Sequence, residues 1–213
     1  TLELREEDQF LPHIDRLREL ASGEAKLIAL TNPNNPTGAL IEQPMLEEIV
    51  QIADAADAYL LCDEVYRGTA QVGDGMVPSI ADMYRKGIST AGMSKVFSLA
   101  GLRLGWVAAP QDVTDRIMIH RDYDTISVGM LNDHFAAIAL ENAESVLSRS
   151  RKITRENLAI LEEWINKEPR VSWVKPRAGT TAMLKLDIPM TGREFWIDLS
   201  EKTRVMLTPG DPF

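Results

Sequence analysis

With one cysteine in 213 residues, the chain has no partner for an internal disulfide. Cys62 sits inside the apolar run 59–62, where a buried, reduced thiol is the simplest reading; a reducing, cytoplasmic setting fits. No stretch approaches the ~18 consecutive apolar residues that a membrane-spanning helix needs. No extended run of lysine and arginine occurs, and the formal net charge is −9. Such a surface repels phosphate backbones, which argues against nucleic-acid binding. His13, His120 and His134 share no metal-ligand spacing, so no metal is assigned. Internal repeats, low-complexity tracts and flexible linkers are absent as well. So is a signal-peptide pattern, although the chain opens Thr1-Leu2-Glu3-Leu4 without a methionine, and its natural start need not be Thr1.

What remains is the composition of a globular domain, 45% hydrophobic and 26% charged, long enough for one large domain or one and a half. Short apolar runs alternate with longer amphipathic ones, the rhythm of an α/β domain. Strands are expected over residues 26–31, 59–63, 88–92 and 104–109. A helix is expected over 44–56, with Pro44 in its first turn, and a shorter one over 79–86. After Pro110 the pattern turns helical, with segments at 112–121, 131–142 and one long helix at 144–167. Its Leu147, Leu158, Leu161 and Ile165 mark one side. The tryptophans and methionines read as core packing. From Glu168-Pro169 the character changes, with strands expected at 171–174, 181–186 and 205–208 and a helix at 193–202. The expected organisation is a large domain over 1–167 and the start of a smaller α+β domain over 168–213. Residues 209–213 read as the middle of a loop.

Four features along the large domain carry chemistry, and each is expected at the C-terminal end of a strand, where open α/β sheets bind ligands. Asn32-Pro33-Asn34-Asn35-Pro36-Thr37-Gly38 reads as a turn. It also reads as a rigid mount that holds the Asn35 amide above the sheet, as a donor to a phenolate oxygen. Asp63, followed by Glu64, Val65 and Tyr66, is either a helix cap or an acid placed to meet a cation in a dry site, such as a protonated pyridine nitrogen. Tyr66 is in position to reach the same oxygen as Asn35. Lys95, preceded by Ser94, is either a surface lysine or a nucleophilic amine crowded by Gly92, Met93, Val96 and Phe97, where lost hydration favours the free amine. Arg103, in Gly101-Leu102-Arg103-Leu104-Gly105-Trp106, offers either a surface ion pair or a planar fork for a phosphate.

An amide for a phenolate, an acid for a pyridinium, an amine for an aldehyde and an arginine for a phosphate are the groups that pyridoxal 5'-phosphate requires. In order and spacing the four motifs resemble those of the fold-type I pyridoxal-phosphate-dependent enzymes, specifically the class I/II aminotransferases. The resemblance extends over essentially the whole chain, and the Lys95–Trp106 segment is its most specific part. It implies the three-layer α/β sheet of that family's large domain and a homodimer with shared active sites, in which residues 121–129 approach the partner's cofactor. It implies that Lys95 carries the cofactor as a Schiff base and moves the proton between Cα and C4′. Asp63 would keep the ring nitrogen protonated, Asn35 and Tyr66 would bond the phenolic oxygen, and Arg103 would hold the phosphate. The family's usual Ser or Thr three residues before the lysine is Gly92 here, with Ser94 a partial substitute. The family's glycine-led phosphate helix, its ring-stacking aromatic and its substrate-carboxylate arginine are not recognisable, so the chain is expected to be part of a longer enzyme. The implied reaction is amino-group transfer between an amino acid and a 2-oxo acid. A lyase, cyclase or oxidase would use the same motifs, and a non-catalytic sensor that retains the cofactor would share them. An appended basic DNA-binding segment would favour the sensor.

Overall fold

The computed structural model describes residues 1–23 and 25–210; the end of the expected loop at 209–213 falls outside them. Strands β1 (Leu27–Thr31), β2 (Tyr59–Asp63), β3 (Gly87–Gly92) and β4 (Gly105–Ala108) form one sheet in that order. The first three run parallel, with Thr31 beside Asp63 and Asp63 beside Thr90. β4 is antiparallel to β3 and pairs Gly92 with Gly105.

The crossovers follow from patterning. Helix α1 (Ile14–Ala21) precedes β1 and buries Leu17 and Ala21. This helix was not expected, although Leu11, Ile14, Leu17 and Ala21 carry a helical spacing, and His13 caps it by accepting the Arg16 N–H at 3.4 Å. Helix α2 (Gln43–Ala55) has its proline in the first turn and buries Leu46, Ile49, Ile52 and Ala53. The segment expected as a helix over 79–86 forms only one short turn, α3 (Ile80–Met83), before β3 begins. Leu46, Ile49, Leu60 and Ile80 are wholly buried together, each contributing roughly 2 kcal/mol of transfer free energy. Cys62 lies in the same core, where burial, and to a lesser extent the Glu64 carboxylate, pushes its thiol up.

Beyond β4 come helices α4 (Gln111–Arg121), α5 (Met130–Glu141) and α6 (Ala143–Ile165). Met93, Val96, Phe97, Ala136, Ala139 and Leu147 make a second core between the β3–β4 connection and α5–α6. Phe97 meets Trp106 edge-on with centroids 6.3 Å apart. After α6 a two-stranded antiparallel sheet forms from β5 (Val171–Ser172) and β6 (Lys185–Leu186), followed by α7 (Gly192–Thr203). Thr191 and Glu194 close a capping box at the start of α7. The expected strands at 171–174 and 181–186 shrink to these two-residue pairs, and 205–208 is no strand at all. Val205, Met206 and Leu207 are exposed, and no neighbouring strand among the described residues offers them a ladder. Apolar β-formers do not make a strand without such a partner. No helix among the described residues is long and apolar enough to cross a membrane, and no cluster of three metal-ligating side chains occurs among them.

Candidate active site

The sheet register decides which residues meet. Because β1, β2 and β3 are parallel and in step, the loop after Thr31, the turn after Asp63 and the segment after Gly92 all leave one edge. The Asn32 N–H donates to the Asp63 carbonyl at 3.0 Å, and the Glu64 N–H to the Thr90 carbonyl at 2.8 Å, which extends the alignment beyond the strands. β4 runs the other way, so its beginning lies at the edge where the others end. The expectation that every motif follows a strand is therefore corrected for Arg103. It precedes β4 and reaches the common edge only because that strand is antiparallel.

An open cleft of about 340 Å³ lies at this edge, lined among others by Asp63, Thr90, Gly92, Ser94 and Arg103. Asp63 is half-buried, and its Oδ1 accepts the Val65 N–H at 3.1 Å. The residues after it form a turn and not a helix, so Asp63 is no helix cap. Glu64, its neighbour, faces the core, where Oε1 accepts the Ser79 hydroxyl at 3.0 Å and the Ile80 N–H at 2.8 Å. Two adjacent acids thus face opposite ways, because the extended chain continues past β2 and sends successive side chains to opposite faces.

Tyr66 is buried, and Lys95 Nζ lies 5.9 Å from its ring centroid. The crowding expected at Lys95 is not met within this chain. Met93, Val96 and Phe97 turn inward and are buried, whereas Lys95 is exposed. The same turn that sinks its neighbours points the lysine out of the core. Arg103 sits in the left-handed region at φ 50, just after the turn at 100–102, and its Nη1 donates to the Ala100 carbonyl at 2.8 Å. Among the described residues it has no carboxylate partner, so the surface ion pair is not formed.

Asn35 is exposed on the loop after β1, which is held from beneath. The buried Asn32 side chain exchanges two hydrogen bonds with Ile41, both 2.9 Å, and the Thr37 hydroxyl donates to Asn34 Oδ1 at 2.7 Å. Gly92 has a steric reason to be glycine. A Cβ there would lie 3.1 Å from the Leu104 carbonyl oxygen and 3.2 Å from Gly105 Cα, while one on Gly105 would stand 2.8 Å from the Ala91 oxygen. The two glycines let β3 and β4 close tightly beside Arg103. Thr90, which lines the same cleft, was not foreseen; alternation along β3 from Gly92 points to it.

A donor set of one carboxylate, one amine, one phenol, hydroxyls and a guanidinium on one edge fits a pyridine ring bearing an aldehyde, a hydroxyl and a phosphate. The fold is that of the pyridoxal-phosphate-dependent aminotransferases of fold type I. It superposes on a PLP-dependent aminotransferase from Streptococcus suis 89-1591 with a TM-score of 0.93 and 42% identity, over 99% of this chain and 55% of that one. The model of the family described as aminotransferase class I and II matches residues 2–213, and the chain belongs to that family. Capreomycidine synthase of Streptomyces vinaceus is 28% identical over 211 residues, covering 99% of this chain and 54% of that protein. Aromatic-amino-acid aminotransferase 2 of Thermococcus litoralis is 28% identical over 215 residues, 98% of this chain and 54% of its own length. The chain spans about half the length of the curated relatives it matches.

Proposed function

We propose that the complete protein transfers an amino group between an amino acid and a 2-oxo acid, using pyridoxal phosphate held at the edge where β1–β3 end and β4 begins. The observation that carries this reading is the convergence of Asp63, Ser94 and Arg103 on one cleft at that edge, with Lys95 directly after Ser94 and near the Tyr66 ring, in a chain of this family. When bound, the cofactor supplies an electron sink for the pair released as an amino acid loses its α-proton. The Asp63 carboxylate would accept a hydrogen bond from the protonated ring nitrogen and so keep that nitrogen protonated. Arg103 and Ser94 would bind the phosphate, and Asn35 and Tyr66 would hydrogen-bond the phenolic oxygen. The Lys95 amine would hold the cofactor covalently and then serve as the base that carries the substrate proton. Borohydride reduction of the complete loaded protein, followed by peptide mapping, tests the assignment. The pyridoxyl group belongs on Lys95, and a label on another lysine overturns it.

The likeness to a solved PLP-dependent cyclase, OrfR, at 26% identity and a TM-score of 0.86, favours a second reading, in which the same cofactor site serves a cyclisation instead of amino transfer. A panel of amino donors and 2-oxo acids separates the two, since only the transferase yields a new amino acid from the oxo acid. For assembly we propose a homodimer in which residues 121–129 approach the partner's site. In support, Tyr123 is 90% exposed in this chain, and Ile126 and Met130 stand out beside it.

A further inference from the structure

Residues 176–181 lie between the two strands of the small sheet, yet they are bonded to both loops that bear the proposed partners of the phenolic oxygen. On the Asn35 side, the Gly38 carbonyl accepts the N–H groups of Arg177 and Ala178 at 2.9 and 3.0 Å, and the Thr181 hydroxyl donates to the Pro36 carbonyl at 3.1 Å. On the Tyr66 side, the Gln71 N–H donates to the Arg177 carbonyl at 2.9 Å. The second link there is a single hydroxyl. Thr69 Oγ1 accepts the Gly179 N–H at 2.8 Å and donates to the Tyr66 carbonyl at 2.6 Å. Thr69 is wholly buried, as is Ala178 between these segments.

We infer that Thr69 is a positioning residue for Tyr66, its hydroxyl tying the Tyr66 backbone to the segment that also braces the Asn35 loop. The inference rests on the function proposed above. Its physical basis is that the hydroxyl spends its proton on one loop and a lone pair on the other, in a place closed to solvent. Removing it leaves a buried carbonyl and a buried N–H without partners, and the two segments relieve that by moving apart or admitting solvent. A phenol acts on an oxygen at hydrogen-bond range, so a small shift of Tyr66 weakens the bond. The competing role is mortar alone, in which Thr69 sets stability and Tyr66 keeps its place.

The test uses the complete protein loaded with pyridoxal phosphate and follows the pH midpoint of the bound cofactor's absorption change. A donor to the phenolic oxygen stabilises the deprotonated form, so a weaker donor raises the midpoint. Tyr66→Phe sets the direction. Thr69→Val, which keeps the shape, and Thr69→Ala should each raise the midpoint by about 0.5 unit or more. Thr69→Ser, which keeps both bonds, should stay with the wild type. Unmoved midpoints in Thr69→Val and Thr69→Ala, with only a lower Tm, overturn the inference, and so does a Thr69→Ser midpoint that moves as far as the valine variant's. A wild-type protein that takes up no pyridoxal phosphate overturns the proposed function and the inference with it.

Discussion

Two stretches of this chain are about equally apolar in character and end in opposite states. From β1 to β3 most large side chains close on one another, Leu27, Val72 and Met76 apart, and Leu46, Ile49, Leu60 and Ile80 keep no solvent exposure. From α4 to α5, Ile119 is 64% exposed, Met130 83% and Leu131 66%; α4 buries nothing, and α5 buries only Ala136 and Ala139. Side-chain hydrophobicity is common to both, so it cannot be what separates them. The difference is whether a complementary surface lies within the same 213 residues. A parallel strand with helices packed on it completes its own core, whereas a helix pair beside an open edge does not. The proposed dimer would cover part of that face.

The contrast should break hardest in the closed half. Leu60→Ala removes a side chain from a fully packed site and should cost about 3–4 kcal/mol in unfolding free energy, read from denaturant midpoints at constant m. At the sheet edge the same half should yield activity without stability. Asp63→Ala leaves only the Val65 N–H without its acceptor, so the Tm should stay close to wild type. Turnover of the complete enzyme should nevertheless fall at least ~10²-fold, ~3 kcal/mol in the barrier. Near-normal turnover would return Asp63 to the rank of a turn residue.

In the open half the order reverses. Leu131→Ser should change monomer stability by no more than ~0.5 kcal/mol, yet raise the dimer dissociation constant about tenfold if α5 lies in the interface. Mixing sharpens that point: Lys95→Ala protein combined with a Tyr123→Ala, Ser127→Ala double variant should regain part of the activity after subunit exchange. Mixtures that stay dead would remove residues 121–129 from the partner's site. The smallest effect belongs to Cys62. Burial holds its thiol above the range in which thiolate forms at neutral pH, so a maleimide should label it only after unfolding.

Much of this was legible along the chain because the signals are local. Alternation and apolar runs marked the four strands, and the residues after Asp63, around Lys95 and before Gly105 marked the side chains on which the proposed site rests. The misses share a cause. The helix at 14–21 carries its spacing on only a few residues, and the segment at 205–208 has strand-like residues but no ladder partner. The exposure of Lys95 depended on which way one turn faces, and the necessity of Gly92 on how near a later strand runs. Thr69 reads as one more hydroxyl after a motif, and its two bonds join it to residues 66 and 179.

By itself the sequence determined the inventory: which side chains could serve as acid, amine, phenol and phosphate fork, and which segments could be strands. These follow from covalent chemistry and from periodicities of two and 3.6 residues, both written locally. Only the tertiary structure decided that β4 turns back against β3, and therefore that Arg103 arrives at the edge where Asp63 and Lys95 leave it. Strand direction and register are settled by hydrogen bonds and packing between residues far apart in the chain, and no local pattern encodes such a pairing.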